Sequence, residues 1–141
     1  MDLGTKLDFF WSPTDAVSRF VKEWSPDGCS TEKECEDSLY EFLHDRLDEK
    51  QIIRQYGRGR ARVDLMVDEK VMVELKYALT STSEYQRLVG QLIEYKDWNK
   101  NILVVLVGET ERSLLKQLQS VIDSEFSSFT FFDTTVEIIQ K

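Results

Sequence analysis

Hydrophobic and polar residues follow two different periods along this chain, and the period changes near residue 50. Up to that point apolar side chains recur every three to four residues, which is the spacing of one face of a helix. After it come short stretches in which every second residue is apolar, the spacing of a strand with one buried face. The pattern predicts that helices come first and that a sheet follows.

Three helix starts are marked by a hydroxyl residue with an acid three positions later, an arrangement in which the hydroxyl caps the first turn. The pairs are Ser12 and Asp15, Thr31 and Glu34, and Ser81 and Glu84. They predict helices from residue 12 to about 24, from 31 to about 49 and from 81 to about 98. The spacing of leucines predicts a further helix near 110–126.

The strand pattern is clearest in two segments, 61–67 and 71–76, which a tight turn at 68–70 joins. The first should place Val63, Leu65 and Val67 on one face and Arg62, Asp64 and Met66 on the other. The second should place Val71, Val73 and Leu75 opposite Met72, Glu74 and Lys76. We therefore expect the polar residues of the two strands to converge on one side of the sheet.

Further strands are predicted at 51–56, 102–107, 129–132 and 136–139, with a turn at 57–60. The segment 102–107 is entirely apolar, as in a strand that is buried on both faces. The element order is therefore α, α, β, β, β, α, β, α, β. This order predicts an α/β fold with a mixed central sheet and helices on both faces.

Composition limits the classes of function. The 141 residues suffice for one domain, and 18 basic against 26 acidic residues give a net charge of −8. Two cysteines and one histidine are too few for a four-cysteine iron–sulfur or four-ligand zinc site. No secretory signal and no apolar run of membrane-spanning length is visible. We expect a cytoplasmic protein without a membrane partner.

The acidic excess gives a poor long-range field for nucleic acid, but the charges are segregated along the chain. The segment 51–62 has no acid and contains Arg54, Arg58, Arg60 and Arg62. We predict that these arginines bind the phosphates of a nucleic acid. The alternative is an ordinary solvated hairpin, in which basic side chains discourage edge pairing.

Asp64, Glu74 and Lys76 are the residues most suited to chemistry. Two nearby carboxylates suit a hard cation such as Mg²⁺, and a lysine beside them can position or deprotonate a metal-bound water. Metal-dependent phosphodiester hydrolysis uses this combination of metal, activated water and positive charge. The alternative is that Glu74 and Lys76 form an ordinary exposed ion pair. Aspartate is depleted in strand interiors, so Asp64 favours the functional interpretation.

Asp64 and the segment Glu74-Leu75-Lys76, on adjacent predicted strands after a helix, resemble the motif of the PD-(D/E)XK nuclease superfamily. The resemblance implies a restriction-endonuclease-like fold with the core order α-β-β-β-α-β over 31–107. Residues 1–30 would be a helical extension, and 108–141 a C-terminal helix and strand, within one domain spanning 1–141. Val63 occupies the position of the proline in the family motif.

The resemblance also implies a Mg²⁺- or Mn²⁺-dependent deoxyribonuclease. Asp64, Glu74 and the carbonyl of Leu75 would bind the metal, and Lys76 would orient or activate the attacking water. The segment from Gln91 to Tyr95 is similar to the Q-x-x-x-Y motif of the RecB-like branch, which implies that these two residues support Lys76 or the DNA strand. Alternatively, both pack the helix with their polar tips satisfied.

The superfamily often carries a further acid on the helix before the first strand. At 100° per residue, Glu36 lies about 20° from Leu43 and therefore within the apolar stripe of its helix. The RecB-like branch often has a histidine in this region, and His44, which lies about 140° from Leu39, is the lesser candidate for a site residue on this helix. We predict that Glu36 is the third acid of the metal centre. The alternative, equally open at this point, is that Glu36 caps the first turn near Thr31.

The leading hypothesis is thus a metal-dependent nuclease acting on DNA, or on RNA. The alternative is a non-catalytic module on a nuclease-like fold that binds nucleic acid or protein. A homodimer or a protein partner is a further way to supply the DNA affinity that a chain of net charge −8 lacks.

Overall fold

The computed structural model describes residues 1–59, 61–126 and 134–141. The helices within these residues are α1 (Leu3–Trp11), α2 (Pro13–Glu23), α3 (Glu32–Arg46), α4 (Thr82–Tyr95) and α5 (Arg112–Glu125). A 3-10 turn, Lys96–Trp98, follows α4. The strands are β1 (Ile52–Arg58), β2 (Ala61–Val67), β3 (Val71–Tyr77), β4 (Asn101–Val107) and β5 (Val136–Gln140).

The strands form one mixed sheet in the order β1-β2-β3-β4-β5. The first three pair antiparallel, whereas β4 and β5 join parallel to β3. Helix α4 supplies the crossover between β3 and β4, as a parallel connection requires. Helices α1 to α3 pack on one face of the sheet and α4 and α5 on the other. The predicted α/β class, the mixed sheet and the two helical layers are confirmed.

Strand β4 shows how the two layers share one sheet. Leu103, Val105 and Val107 pack against α1 to α3, and Ile102, Val104 and Leu106 pack against α4 and α5. The prediction of a strand buried on both faces is therefore confirmed.

The three predicted caps fix the starts of α2, α3 and α4. The side chains of Ser12, Thr31 and Ser81 accept hydrogen bonds from the backbone N–H of Asp15, Glu34 and Glu84, at 3.4, 3.1 and 3.2 Å. Each bond satisfies an N–H that has no partner within the helix. Helix positions in this chain are therefore encoded locally.

Helix α1 was not predicted as a separate element. Asp2 caps it by accepting the N–H of Thr5, but its apolar residues do not follow the periodicity of a core-facing helix. Phe9 is buried, whereas Leu3, Leu7, Phe10 and Trp11 are exposed. The predicted helical extension over 1–30 thus consists of two helices rather than one.

The predicted turn at 57–60 begins too early. Strand β1 continues through Arg58, because Gly57 pairs with Arg62 and Arg58 with Ala61. The predicted strand at 129–132 and the residue Arg60 lie outside the described residues.

Among the aliphatic residues of β2, the predicted face of the sheet is wrong for one side chain. Leu65 and Val67 pack toward α1 to α3 as expected, but Val63 packs in the opposite cluster with Met66. The alternation of side chains between the two faces is interrupted at Asp64. This residue lies opposite Gln55, where the pairing of β1 with β2 has a gap and the backbone is left-handed (φ 51°). An irregular backbone of this kind shifts the alternation of side chains along a strand. In β3, Val71, Val73 and Leu75 face α1 to α3, and Met72 faces α4 and α5, as predicted.

Within the described residues, none of the helices combines the length and the hydrophobicity needed to cross a membrane.

Candidate metal centre

Asp64 lies where β2 and β3 separate. The two strands pair from Val67 and Val71 as far as Leu65 and Val73. Beyond that point the carboxylate of Asp64, through Oδ2, accepts the backbone N–H of Leu75 at 2.8 Å. A side chain thus replaces a main-chain partner in the ladder, which places the carboxylate between the strands and gives this aspartate a fixed orientation.

Glu74 is the most buried charged residue of the site, with 1% of its surface exposed. Its Oε2 lies 3.0 Å from the hydroxyl of Tyr95, and its Oε1 lies 3.7 Å from Nζ of Lys76. The side chain of Lys76 is only 13% exposed. The alternative of an ordinary exposed ion pair therefore does not describe Glu74 and Lys76.

This environment shifts the pKa of Glu74. Burial, followed by the negative charge of Asp64, raises the pKa of Glu74 well above its usual value, while Lys76 acts in the opposite direction. The hydroxyl of Tyr95 also lies 2.5 Å from the carbonyl oxygen of Arg62. The hydroxyl is thus within donor distance of both the Glu74 carboxylate and the β2 main chain, and its hydrogen bond to Glu74 acts against the rise in pKa. A bound cation would favour the ionised carboxylate and so act against this shift.

Glu36 lies beside Asp64 and not at the helix cap. The amide Nε2 of Gln55 donates to Glu36 Oε1 at 3.0 Å and to Asp64 Oδ1 at 3.3 Å. The reciprocal capping contact belongs to Glu34, which accepts the N–H of Ser30. Burial raises the pKa of Glu36, which is 12% exposed. An amide donor between two carboxylates indicates a position where positive charge is favourable.

A small polar pocket of about 260 Å³ lies beside Lys76 and includes two residues that the sequence analysis missed. Glu32 lies 4.0 Å from Lys76, and its pKa is raised mainly by burial. Arg87 lines the same pocket from α4. Helical spacing carried a signal for both, because Glu32 stands four residues before Glu36 and Arg87 four residues before Gln91.

Gln55 is a third residue that was missed, and nothing in the sequence pointed to it. Its role depends on the strand register that places it opposite Asp64 and on its left-handed backbone. Neither feature has a periodicity that could be read from the chain.

The predicted supporting residues of α4 differ in their contacts. Tyr95 is fully buried and touches Glu74 rather than Lys76. In the part of the chain that the structure describes, the buried Oε1 of Gln91 has no hydrogen-bond partner. A buried acceptor without a partner is costly, and a ligand that donates a hydrogen bond to it would remove that cost. The functional role of Gln91 stays a prediction. His44, the lesser candidate, is exposed and packs against the ring of Tyr40 at 5.8 Å.

The predicted arginine stripe is divided between two environments. Arg54 forms ion pairs with Asp37 and, at 3.7 Å, with Glu36, and its guanidinium lies 5.1 Å from the centre of the Tyr40 ring. Arg58 and Arg62 are exposed. Arg54 therefore neutralises acids of α3 at the edge of the site, while the other two described arginines face solvent.

The predicted ligands are oxygen donors, which suit Mg²⁺ or Mn²⁺ rather than a metal that prefers thiolate or imidazole ligands. Across the described ranges, no group of three or more His, Cys, Asp or Glu residues is arranged to hold a metal ion. Mg²⁺ is usually bound by one or two carboxylates and keeps several waters. Asp64, Glu74 and a main-chain oxygen such as that of Leu75 would suffice for this kind of binding.

No protein-family model matches the chain, and no curated protein matches it. Among solved structures, the chain is similar to SfsA of Pyrococcus furiosus in complex with Ca²⁺, with 17% sequence identity and a TM-score of 0.40. The match covers 77% of this chain and 55% of that one, so the chain spans about half the length of SfsA. A similarity of this degree supports no conclusion about activity or ligand.

Proposed function

We propose that the protein is a Mg²⁺- or Mn²⁺-dependent nuclease of the PD-(D/E)XK type that hydrolyses phosphodiester bonds in DNA. One observation carries the proposal: a carboxylate buried in the sheet, Glu74, meets Asp64 and Lys76 at the point where two strands separate. Burial of a carboxylate opposes folding unless it is neutralised or paired. A function that needs the carboxylate explains why it is there.

The proposal assigns a role to each residue of the site. Asp64, Glu74 and the carbonyl of Leu75 hold the metal, which when bound polarises the phosphate and lowers the pKa of a water. Tyr95 orients Glu74, and Gln55 links Glu36 to Asp64 so that Glu36 stabilises the centre from outside. Lys76 positions the attacking water and stabilises the negative charge that develops on the phosphate.

The test is cleavage of linear, circular, single-stranded and branched DNA, and of RNA, with Mg²⁺ or Mn²⁺. The parent is compared with Asp64→Asn and Glu74→Gln. The matched control is Glu69→Gln, which removes one negative charge from the exposed β2–β3 turn. We expect cleavage by the parent and the control, and a loss of at least about 100-fold in the two site variants. Equal rates in Glu74→Gln and the parent would exclude this site.

The second candidate is a non-catalytic binding module. It is favoured by the net charge of −8 and by Arg54, whose charge is matched by acids of α3. The same panel separates the candidates, because a module binds nucleic acid or protein without metal and without turnover. A size measurement in solution would show whether a dimer or a partner is part of either function.

A further inference from the structure

A cleft of about 740 Å³ lies between the β1–β2 hairpin and the turn that follows α4. The rings of Tyr56 and Trp98 line it and contact each other edge to face, with centroids 5.8 Å apart. Ile53 and Met66 add aliphatic surface. The volume is within the range of roughly 300 to 1,000 Å³ that is typical of small-ligand sites. The cleft therefore has the size and the apolar surface to hold a flat ring.

The charge of the cleft is opposite to that of the whole chain. Arg58 and Lys100 line it, and no acidic residue is among its described lining residues. The protein as a whole carries a net charge of −8. Cations beside aromatic rings suit a ligand that combines a flat ring with a negative charge, as an unpaired nucleotide does.

A glycine leaves room for the aromatic wall. Gly57 has φ +134°, and a Cβ at this position would lie 2.0 Å from the carbonyl oxygen of Ala61 and 2.8 Å from a ring carbon of Trp98. Only a residue without a side chain allows the indole to lie this close to the backbone of β1. A side chain at position 57 would therefore displace the indole from this wall of the cleft.

The cleft is next to the candidate metal centre. The ring of Trp98 lies 5.2 Å from the ring of Tyr95, whose hydroxyl lies 3.0 Å from Glu74 Oε2. One aromatic side chain therefore separates a surface for stacking from the carboxylates of the metal centre. A strand with a base in the cleft would bring its backbone close to that centre.

We propose that this cleft binds an unpaired nucleobase, with the neighbouring phosphate on Arg58 and Lys100. A base that is stacked within a duplex cannot enter it, so the substrate class is single-stranded, frayed or branched nucleic acid. The link from base binding to cleavage rests on the proposed nuclease function. The binding itself does not.

The test measures binding without cleavage, by fluorescence anisotropy in EDTA. The probes are labelled oligothymidylate, oligouridylate of the same length, an abasic strand with the same backbone, and a blunt duplex. We expect the two base-bearing strands to bind about tenfold more tightly than the abasic strand. Tyr56→Leu should lose this preference, whereas Tyr56→Phe, which keeps the ring, should retain it.

Charge variants separate stacking from phosphate binding. Arg58→Gln with Lys100→Gln should weaken base-bearing and abasic strands by the same factor and reduce the salt dependence. Arg112→Gln with Lys116→Gln, an equal change on the exposed surface of α5, should do neither. Circular dichroism checks that each variant is folded.

Equal affinity of the parent for base-bearing and abasic strands would overturn the proposal, and this comparison needs no variant. A folded Tyr56→Leu variant with an intact base preference would also overturn it. The two proposals can fail separately. Base preference without metal-dependent cleavage would contradict the nuclease and keep the cleft, whereas cleavage without base preference would do the reverse.

Discussion

Strands β3 and β4 lie side by side in the sheet but differ in the polarity of their buried residues. They run parallel, and their register places Glu74 beside Val104 and Lys76 beside Leu106. Val104 is completely buried and Glu74 is 1% exposed. After Asn101, β4 is aliphatic on both faces. At the same depth, β3 carries an acid and a lysine.

The comparison shows the difference between a buried residue that stabilises the fold and a buried residue that the fold must compensate for. An aliphatic residue at position 74 would join the cluster of Val104 and the side chains of α4 without any loss of hydration. A carboxylate there must be neutralised or paired, and its pKa is accordingly raised by burial. Position 104 is thus explained by packing alone, whereas packing does not explain the carboxylate at position 74. Substitutions at positions that pair across β3 and β4 test this distinction.

The largest change in the free energy of unfolding is expected when a carboxylate is placed on β4. Val104→Glu would bury an acid beside Glu74 without a basic partner, and we expect a loss of about 3–5 kcal/mol in the free energy of unfolding at pH 7.5. Ile93→Glu makes the same change at a residue that is 45% exposed and should cost about 0.5 kcal/mol or less. Urea denaturation measures both. Similar stabilities of the two variants would remove the contrast between the strands.

Much of this contrast was predictable from the sequence. The capping pairs fixed the starts of three helices because each cap involves residues only three positions apart. The uniformly apolar segment 102–107 indicated burial on both faces, and the polar positions of 71–76 indicated where chemistry could lie. All of these features depend on residues that are close in the chain.

What could not be predicted depends on contacts between distant residues. The alternating pattern of β2 did not predict that Val63 lies on the opposite face from Leu65. The cause lies in the carboxylate of Asp64 within the ladder and in the left-handed backbone of Gln55. The partnership of Arg54 with Asp37 joins a strand to a helix 17 residues away. Helix periodicity pointed to Glu36, but only the docking of α3 brings Glu32 to Lys76.

The next effect concerns the residue that orients Glu74. Tyr95→Phe removes the hydroxyl that contacts both Glu74 and the carbonyl of Arg62. We expect apparent Mg²⁺ affinity to fall by about 10- to 100-fold, as for other residues that orient a metal ligand. Calorimetric titration and the Mg²⁺ dependence of cleavage measure it.

The matched control for this prediction is Tyr85→Phe, a buried tyrosine of the same helix and the same core cluster. It should leave the Mg²⁺ dependence unchanged. If both tyrosine variants bind Mg²⁺ as the parent does, Tyr95 has a packing role only.

A smaller effect appears in the pH dependence of stability. The folded protein raises the pKa of Glu74, whereas the unfolded chain has the ordinary value. Stability from this group is fully present below the ordinary pKa and is lost as the pH rises through the raised value, because the unfolded state then binds fewer protons. Glu74→Gln has no such loss, so in metal-free buffer at pH 8 it should be more stable than the parent by on the order of 1 kcal/mol.

Urea denaturation at pH 5 and pH 8 measures this difference. The advantage of Glu74→Gln should shrink at pH 5, and added Mg²⁺ should stabilise the parent more than the variant, because the metal binds the ionised carboxylate. Glu69→Gln, at the exposed turn, should show no difference between the two pH values. A pH-independent gap between Glu74→Gln and the parent would mean that Glu74 does not titrate between them.

A contrast in activity at little cost in stability is expected when methionine is placed at two paired positions of β3 and β4. Lys76→Met and Leu106→Met both substitute an unbranched side chain of similar length, at neighbouring sites of the sheet. Each should change the free energy of unfolding by less than about 1.5 kcal/mol, since methionine adapts to irregular space. Cleavage should fall at least about 100-fold in Lys76→Met and stay near the parent value in Leu106→Met. Equal activity in two equally folded variants would mean that β3 differs from β4 in composition and not in function.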